Sequence, residues 1–196
     1  VDVRADDAAD DVLVERALDR GLGLAHPGHP LAAAPEAGPA AAAVAAARAT
    51  AAALADALPA KAIVSDVGSS KQSVLDALAE VLPGRTVIPA HPVAGTEQSG
   101  PEAGFGTLFV NRWCILTPEA DTDPEATARL QRFWESLGAQ VEIMDPEHHD
   151  LVVAVTSHVP HAIAYTMCGV ADDLNRVTDR EVVQFSAAGF RDLTRI

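Results

Sequence analysis

The segment from Lys61 to Asp145 alternates short β-branched runs with helix-periodic runs, and few architectures accept that order. KAIVSD, TVIPAH, RWCILTP and AQVEIMD read as strands. After the first, KQSVLDALAEVL sets Val74, Leu75, Leu78, Val81 and Leu82 at helical spacing. Before the last, Asp123-Pro124 offers an acidic N-cap with proline in the first turn. The helix it starts carries Leu130, Phe133, Trp134 and Leu137 and stops at Gly138. Strand–helix–strand alternation with short connections predicts an α/β layer built on a largely parallel sheet.

The flanks read differently. Nothing before Lys61 reads as a buried strand: Asp6–Arg20 reads as a short acidic helix, and GLGLAHPGHPLAAAPEAGP reads as a loop. Ala40–Leu58 reads as a helix of small residues. After Asp145-Pro146 the period turns helical through Asn175, interrupted by Pro160. The division expected is an α/β domain over 1–145, with 1–60 atypical or disordered, and the start of an all-helical domain over 146–196.

Composition excludes some partners. With 48% apolar residues among 196, a core is possible, and a formal charge of −14 argues against nucleic acid or an anionic membrane. Cys114 and Cys168 sit in apolar stretches without ligand spacing and read as buried free thiols. The apolar run Val159–Ala171 contains Pro160 and His161 and is too short to span a membrane. VDVRADDAADD lacks the basic start and apolar core of a signal peptide, so the expected location is the cytoplasm.

Ligands of doubly wound sheets sit at the carboxyl ends of strands, where two polar clusters fall. Gly68-Ser69-Ser70 precedes a helix and either caps it or offers N–H groups and hydroxyls to a ligand. His91 opens HPVAGTEQSG and is either a structural histidine or a general base with a pKa near neutrality. In HHDLVVAVTSHVPH, an ideal helix brings Asp150, Ser157 and His161 within about 40° of one another while His158 faces elsewhere. The histidines there are either helix-packing or functional; without HExxH or cysteine spacing, no metal is expected. In AAGFRDLTRI, Arg191 and Arg195 form either a surface ion pair with Asp192 or a carboxylate grip.

Taken in order, DVGSSK, HPVAGTEQSG, LF…ILTP, W…LGAQV…MDPE, HHD…TSHVPHAIA and GFRDLTRI resemble the prephenate/arogenate dehydrogenase family of tyrosine biosynthesis over Lys61–Ile196. The resemblance implies a Rossmann-like, here incomplete, parallel-sheet domain followed by an all-helical domain that carries homodimerisation. It implies oxidative decarboxylation of prephenate to 4-hydroxyphenylpyruvate, or of arogenate, with NAD or NADP. By position, His91 would be the catalytic base and Ser69 would hydrogen-bond near it and the nicotinamide. Asp66, Gly68 and Ser69 would meet the cofactor. Thr96, Glu97, Ser157, His158, His161 and Arg195 would meet the substrate. The family's GxGxxG turn is missing, Gly21-Leu22-Gly23 being only a fragment of it, and residues 1–45 resemble nothing in the family. The chain thus reads as incomplete at both ends, and the alternative function is a non-catalytic remnant or binding protein without a working nucleotide site.

Overall fold

The computed structural model describes residues 12–15, 39–95, 104–175 and 181–195. They fall into two compact units, Val1–Asp150 and Leu151–Ile196.

The first unit is organised around β2 (Ile63–Asp66), four residues that are all buried. A strand buried on both faces must be flanked by covering layers, and side chains alternate between them. Val64 faces a cluster with Val74, Leu75, Leu78, Leu82 and Val87, supplied by α2 (Gln72–Val81), its C-terminal flank and β3 (Thr86–Val87). The helix α1 (Pro39–Leu54) contributes Ala51 to that face. Ile63 faces the other way, toward Ile88, Cys114, Leu116, Leu130 and Trp134.

β2 is paired in parallel on both edges, by β1 (Val12–Glu15) with Val12 opposite Ile63, and by β3 with Thr86 opposite Ile63. The strand at Val12–Glu15 corrects two expectations, that Asp6–Arg20 is helical and that no strand precedes Lys61. VLVE is only four residues long and lies beside an acidic run, so its ladder to β2 has no local signature.

TVIPAH is a second correction, since it forms two strands. β3 stays with β2, whereas β4 (Ala90–Pro92) pairs antiparallel with β5 (Trp113–Leu116), His91 opposite Ile115. Pro89 separates them because it has no N–H to donate and resists continuing a ladder. Ile88 N–H still donates to Val64 O and Thr117 N–H donates to Pro89 O, each at 2.9 Å. The largely parallel expectation therefore holds for β1–β2–β3 and for β5 with β6 (Gln140–Ile143), but not at the strand carrying His91.

The helix α3 (Pro124–Ser136) is capped as its sequence suggests, Asp123 accepting from Glu125 N–H at 3.0 Å. It buries Leu130 and Trp134 and ends at Gly138, whose φ of +84° favours glycine.

The helix α4 (Pro146–Val153) begins in the first unit and runs through a π-helical turn, Ala154–His158, into α5 (Val159–Asn175). Pro160 explains the widened turn, because proline removes a donor and crowds the carbonyl one turn back. Two short helices follow, α6 (Glu181–Gln184) and α7 (Ala188–Thr194). The helical run Pro146–Leu174 is long and apolar enough, by length and composition, to cross a membrane, which corrects the shorter Val159–Ala171. Leu151, Val155, Val159, Val170 and Leu174 are exposed on it, and so is Cys168, expected to be buried.

Leu130 is fully buried, so Leu130→Ala should cost about 2–5 kcal/mol of unfolding free energy, read by urea denaturation, whereas Leu137→Ala on the exposed end should cost under about 1 kcal/mol.

Candidate active site

Two chemically loaded stretches meet at the carboxyl end of β2 and the start of α2. The first is the turn from Asp66 to Lys71. Asp66 is buried, accepts Gly68 N–H at 2.8 Å, and faces the Lys71 ammonium at 2.6 Å. Lys71 is wholly buried and also donates to Ala90 O at 2.7 Å, the residue just before His91. Burial pushes the Asp66 carboxyl above its ordinary value and the Lys71 ammonium below its own, against their mutual attraction. The pair thus pins the His91 strand to the turn. Among the described residues, Asp66 Oδ1 is buried with no hydrogen-bond partner.

The second stretch is the first turn of α4. Helix α2 begins after Lys71, whose side chain caps nothing, so Gly68-Ser69-Ser70 is not its N-cap. The cap comes from across the chain. Asp150 accepts Lys71 N–H at 2.8 Å on Oδ1 and Gln72 N–H at 3.0 Å on Oδ2. A carboxylate there satisfies orphan donors and meets the positive end of the helix dipole. Asp150 Oδ1 also lies 2.8 Å from His149 Nδ1.

His149 is fully buried, and its Nε2 stands 2.8 Å from His91 Nδ1 with the rings edge to face at 5.1 Å. Burial holds the His149 imidazole below the usual histidine range, although the hydrogen bond and attraction of Asp150 oppose it. For Asp150 burial acts upward. The bonds from His149, Lys71 N–H and Gln72 N–H, with attraction to His149, outweigh it and hold the carboxyl low. Asp150, His149 and His91 form a continuous row, with Lys71 and Asp66 alongside.

The other expected residues distribute as follows. Ser69 is exposed on the bend before α2, and Gly68 is half-buried, with Asp66 Oδ2 3.1 Å from where a Cβ would stand. Thr96 and Glu97 lie outside the described residues. In the second unit Ser157 and His161 are half-buried and His158 is exposed. His161 Nδ1 donates to Ser157 O at 2.7 Å, one of the carbonyls near Pro160. The π-turn interrupts the ideal period behind the expected grouping of Asp150 with Ser157 and His161, and Asp150 bonds α2 and His149. Arg195 is exposed at the end of α7. Cys114 is a poor nucleophile, its thiol pushed up to about 12 by burial despite nearby Lys71.

The sequence reading missed Lys71, His149 and the real use of Asp150. A lysine five residues after a strand looks solvated, and a cap 78 residues away leaves no local trace. The only hint was HHD directly after the helix start at Asp145-Pro146.

The description "Prephenate dehydrogenase, nucleotide-binding domain" matches residues 14–143, and "Prephenate dehydrogenase, dimerization domain" matches 145–196. The chain belongs to the prephenate dehydrogenase family. It is 43% identical over 140 residues to the cyclohexadienyl dehydrogenase of Zymomonas mobilis, covering 71% of this chain and 48% of that one. Prephenate dehydrogenase of Aquifex aeolicus, solved in complex with hydroxyphenyl propionate and NAD+, superposes with a TM-score of 0.70 at 36% identity, over 78% of this chain and 52% of that one. Synechocystis arogenate dehydrogenase gives 0.62 at 32% identity, over 75% and 52%. The chain thus spans about half the length of these relatives. The likeness also reaches back to residue 14, inside β1, further than the expected start at Lys61. The fold is the Rossmann-like α/β domain and helical region expected of this family.

The row of groups has a pH signature. An unfolded histidine takes a proton near pH 6.5, while folded His149 resists it. The unfolded chain therefore binds more protons as pH falls below about 6.5, and stability declines by at most about 1.4 kcal/mol per pH unit from this residue. Asp150 adds to the decline only below about pH 4, the unfolded carboxyl's range. Urea titrations at several values between about pH 7.5 and 5 should show a shallower decline for His149→Gln than for the unaltered chain.

Proposed function

We propose that the protein oxidises prephenate, or arogenate, with loss of carbon dioxide, using NAD or NADP. The observation that carries this reading is the Asp150–His149–His91 row within a domain of this family. His91 is half-buried on β4, held from behind by a buried ring, so one imidazole edge is anchored.

The residues present fit a nicotinamide cofactor at the carboxyl end of β2. Among the described residues Asp66 Oδ1 is a buried acceptor with no partner, and a Cβ at Gly68 would stand only 3.1 Å from Asp66 Oδ2, so glycine keeps the approach there clear. Asp66, Gly68 and Ser69 would hold that end of the cofactor, and bound NAD or NADP would supply the hydride acceptor.

The chain's own residues would do the rest. As the hydride leaves the hydroxyl-bearing ring carbon, His91 takes the hydroxyl proton, which keeps the developing carbonyl neutral. The carbon–carboxylate bond then breaks, carbon dioxide departs, and its electron pair aromatises the ring. Orienting the substrate and balancing its charge fall to Thr96, Glu97, Ser157, His158, His161 and Arg195. A substrate with two carboxylates meets a chain of net charge −14, so a local guanidinium matters more here than on a neutral protein. Arg195 is the group we assign to a substrate carboxylate. A second copy of the chain is the partner we assign to the exposed helix face around Leu151 and Val155, in keeping with the dimerization-domain match. Cytoplasmic work suits the free thiols of Cys114 and Cys168.

Following reduced-cofactor absorbance with prephenate and then arogenate should show turnover. His91→Ala should lower kcat by about 10²–10⁴-fold with a smaller change in KM. Turnover that survives the substitution would refute His91 as the base.

A further inference from the structure

We propose that His149 fixes the tautomer of His91, so that His91 is protonated on Nδ1 and keeps its lone pair on Nε2. His149 acts through His91 and is a positioning residue. Its consequence for catalysis rests on the dehydrogenase reading above.

The assignment follows from which groups can donate. The Asp150 carboxylate only accepts, and it accepts three N–H groups, from Lys71, Gln72 and the His149 ring. His149 Nδ1 therefore carries a hydrogen. His149 is fully buried, with the Asp150 carboxylate on its Nδ1 side, and a ring so removed from water stays neutral. A neutral ring with hydrogen on Nδ1 has only a lone pair on Nε2. That lone pair faces His91 Nδ1 at 2.8 Å, and an attractive contact at that distance needs a hydrogen, which must then come from His91. One carboxylate thus sets two tautomers in succession.

An imidazole in water favours the opposite, Nε2–H form. Without His149, the His91 nitrogen meant to take a proton would usually carry one already. With it, Nε2 is the basic atom. Once His91 is protonated, its Nδ1–H still donates to His149, and the negative Asp150 stabilises the cation through the buried ring. The proton stays on His91, because His149 is disfavoured as a cation.

The test is spectroscopic and needs no turnover. Long-range proton–nitrogen correlation of the ¹⁵N-labelled chain at about pH 8, where histidines are neutral, reads each ring's tautomer. His91 should appear as Nδ1–H. His149→Phe keeps an apolar ring in the buried site but offers no acceptor, and should convert His91 to mainly Nε2–H. His149→Gln, whose amide oxygen can accept, should retain a substantial Nδ1–H fraction. Amide spectra and the urea midpoint report whether each variant is folded, and Gln serves if Phe is not. An unaltered chain with His91 as Nε2–H overturns the proposal, and so does a folded His149→Phe with His91 unchanged.

The kinetic arm is separate. In a chain that turns over prephenate, His149→Phe should lower kcat about 10²-fold or more with little change in KM, and Gln should recover part of it. Full activity alongside a switched tautomer would overturn the positioning role. Absent turnover and absent NAD binding would remove the dehydrogenase reading while leaving the tautomer result to stand on the spectrum.

Discussion

One carboxylate organises this site. Asp150 ends the orphan N–H groups of α2, holds the ring of His149, and through that ring meets His91. It lies on a different helix from the one it caps, so three segments separated in sequence depend on a single half-buried junction. A side chain that accepts three hydrogen bonds cannot be lost quietly, because three donors lose their acceptor at once, that of the buried His149 ring among them.

The Lys71–Asp66 pair complements this junction from the other side. A buried ion pair is weak evidence of stability, since desolvation offsets most of the attraction. Its value here is positional. The ammonium reaches Ala90 O as well as Asp66, so the turn after β2 and the strand bearing His91 move together. Pro89 makes this useful, because it ends β3 and frees β4 to join the antiparallel pair with β5. Histidine geometry is thereby set by backbone pairing, an ion pair and a second imidazole at once.

What could be read from sequence follows the range of the interaction. α2, α3, β2, β5 and β6 announce themselves through period and capping, as with Asp123 ahead of Pro124 or Ile63 and Val64 on opposite faces. His91 could be singled out because its position after a strand and its family motif are both local. β1 could not, being a four-residue run whose partner lies far along the chain. Nor could the roles of Lys71 and His149, since burial and a cap from a distant helix are properties of the packed chain. The π-turn at Ala154–His158 shows the same limit: Pro160 warned of a break, yet nothing local announced that Asp150 caps α2 and holds His149.

The role proposed for His91 is that of the base, with a neighbouring ring and carboxylate holding it in place. Imidazole rescue tests that most directly. His91→Ala should be nearly inactive toward prephenate with NAD or NADP, and added imidazole should restore turnover in proportion to its unprotonated fraction. A His91→Ala chain that turns over at the unaltered rate without imidazole would contradict the account.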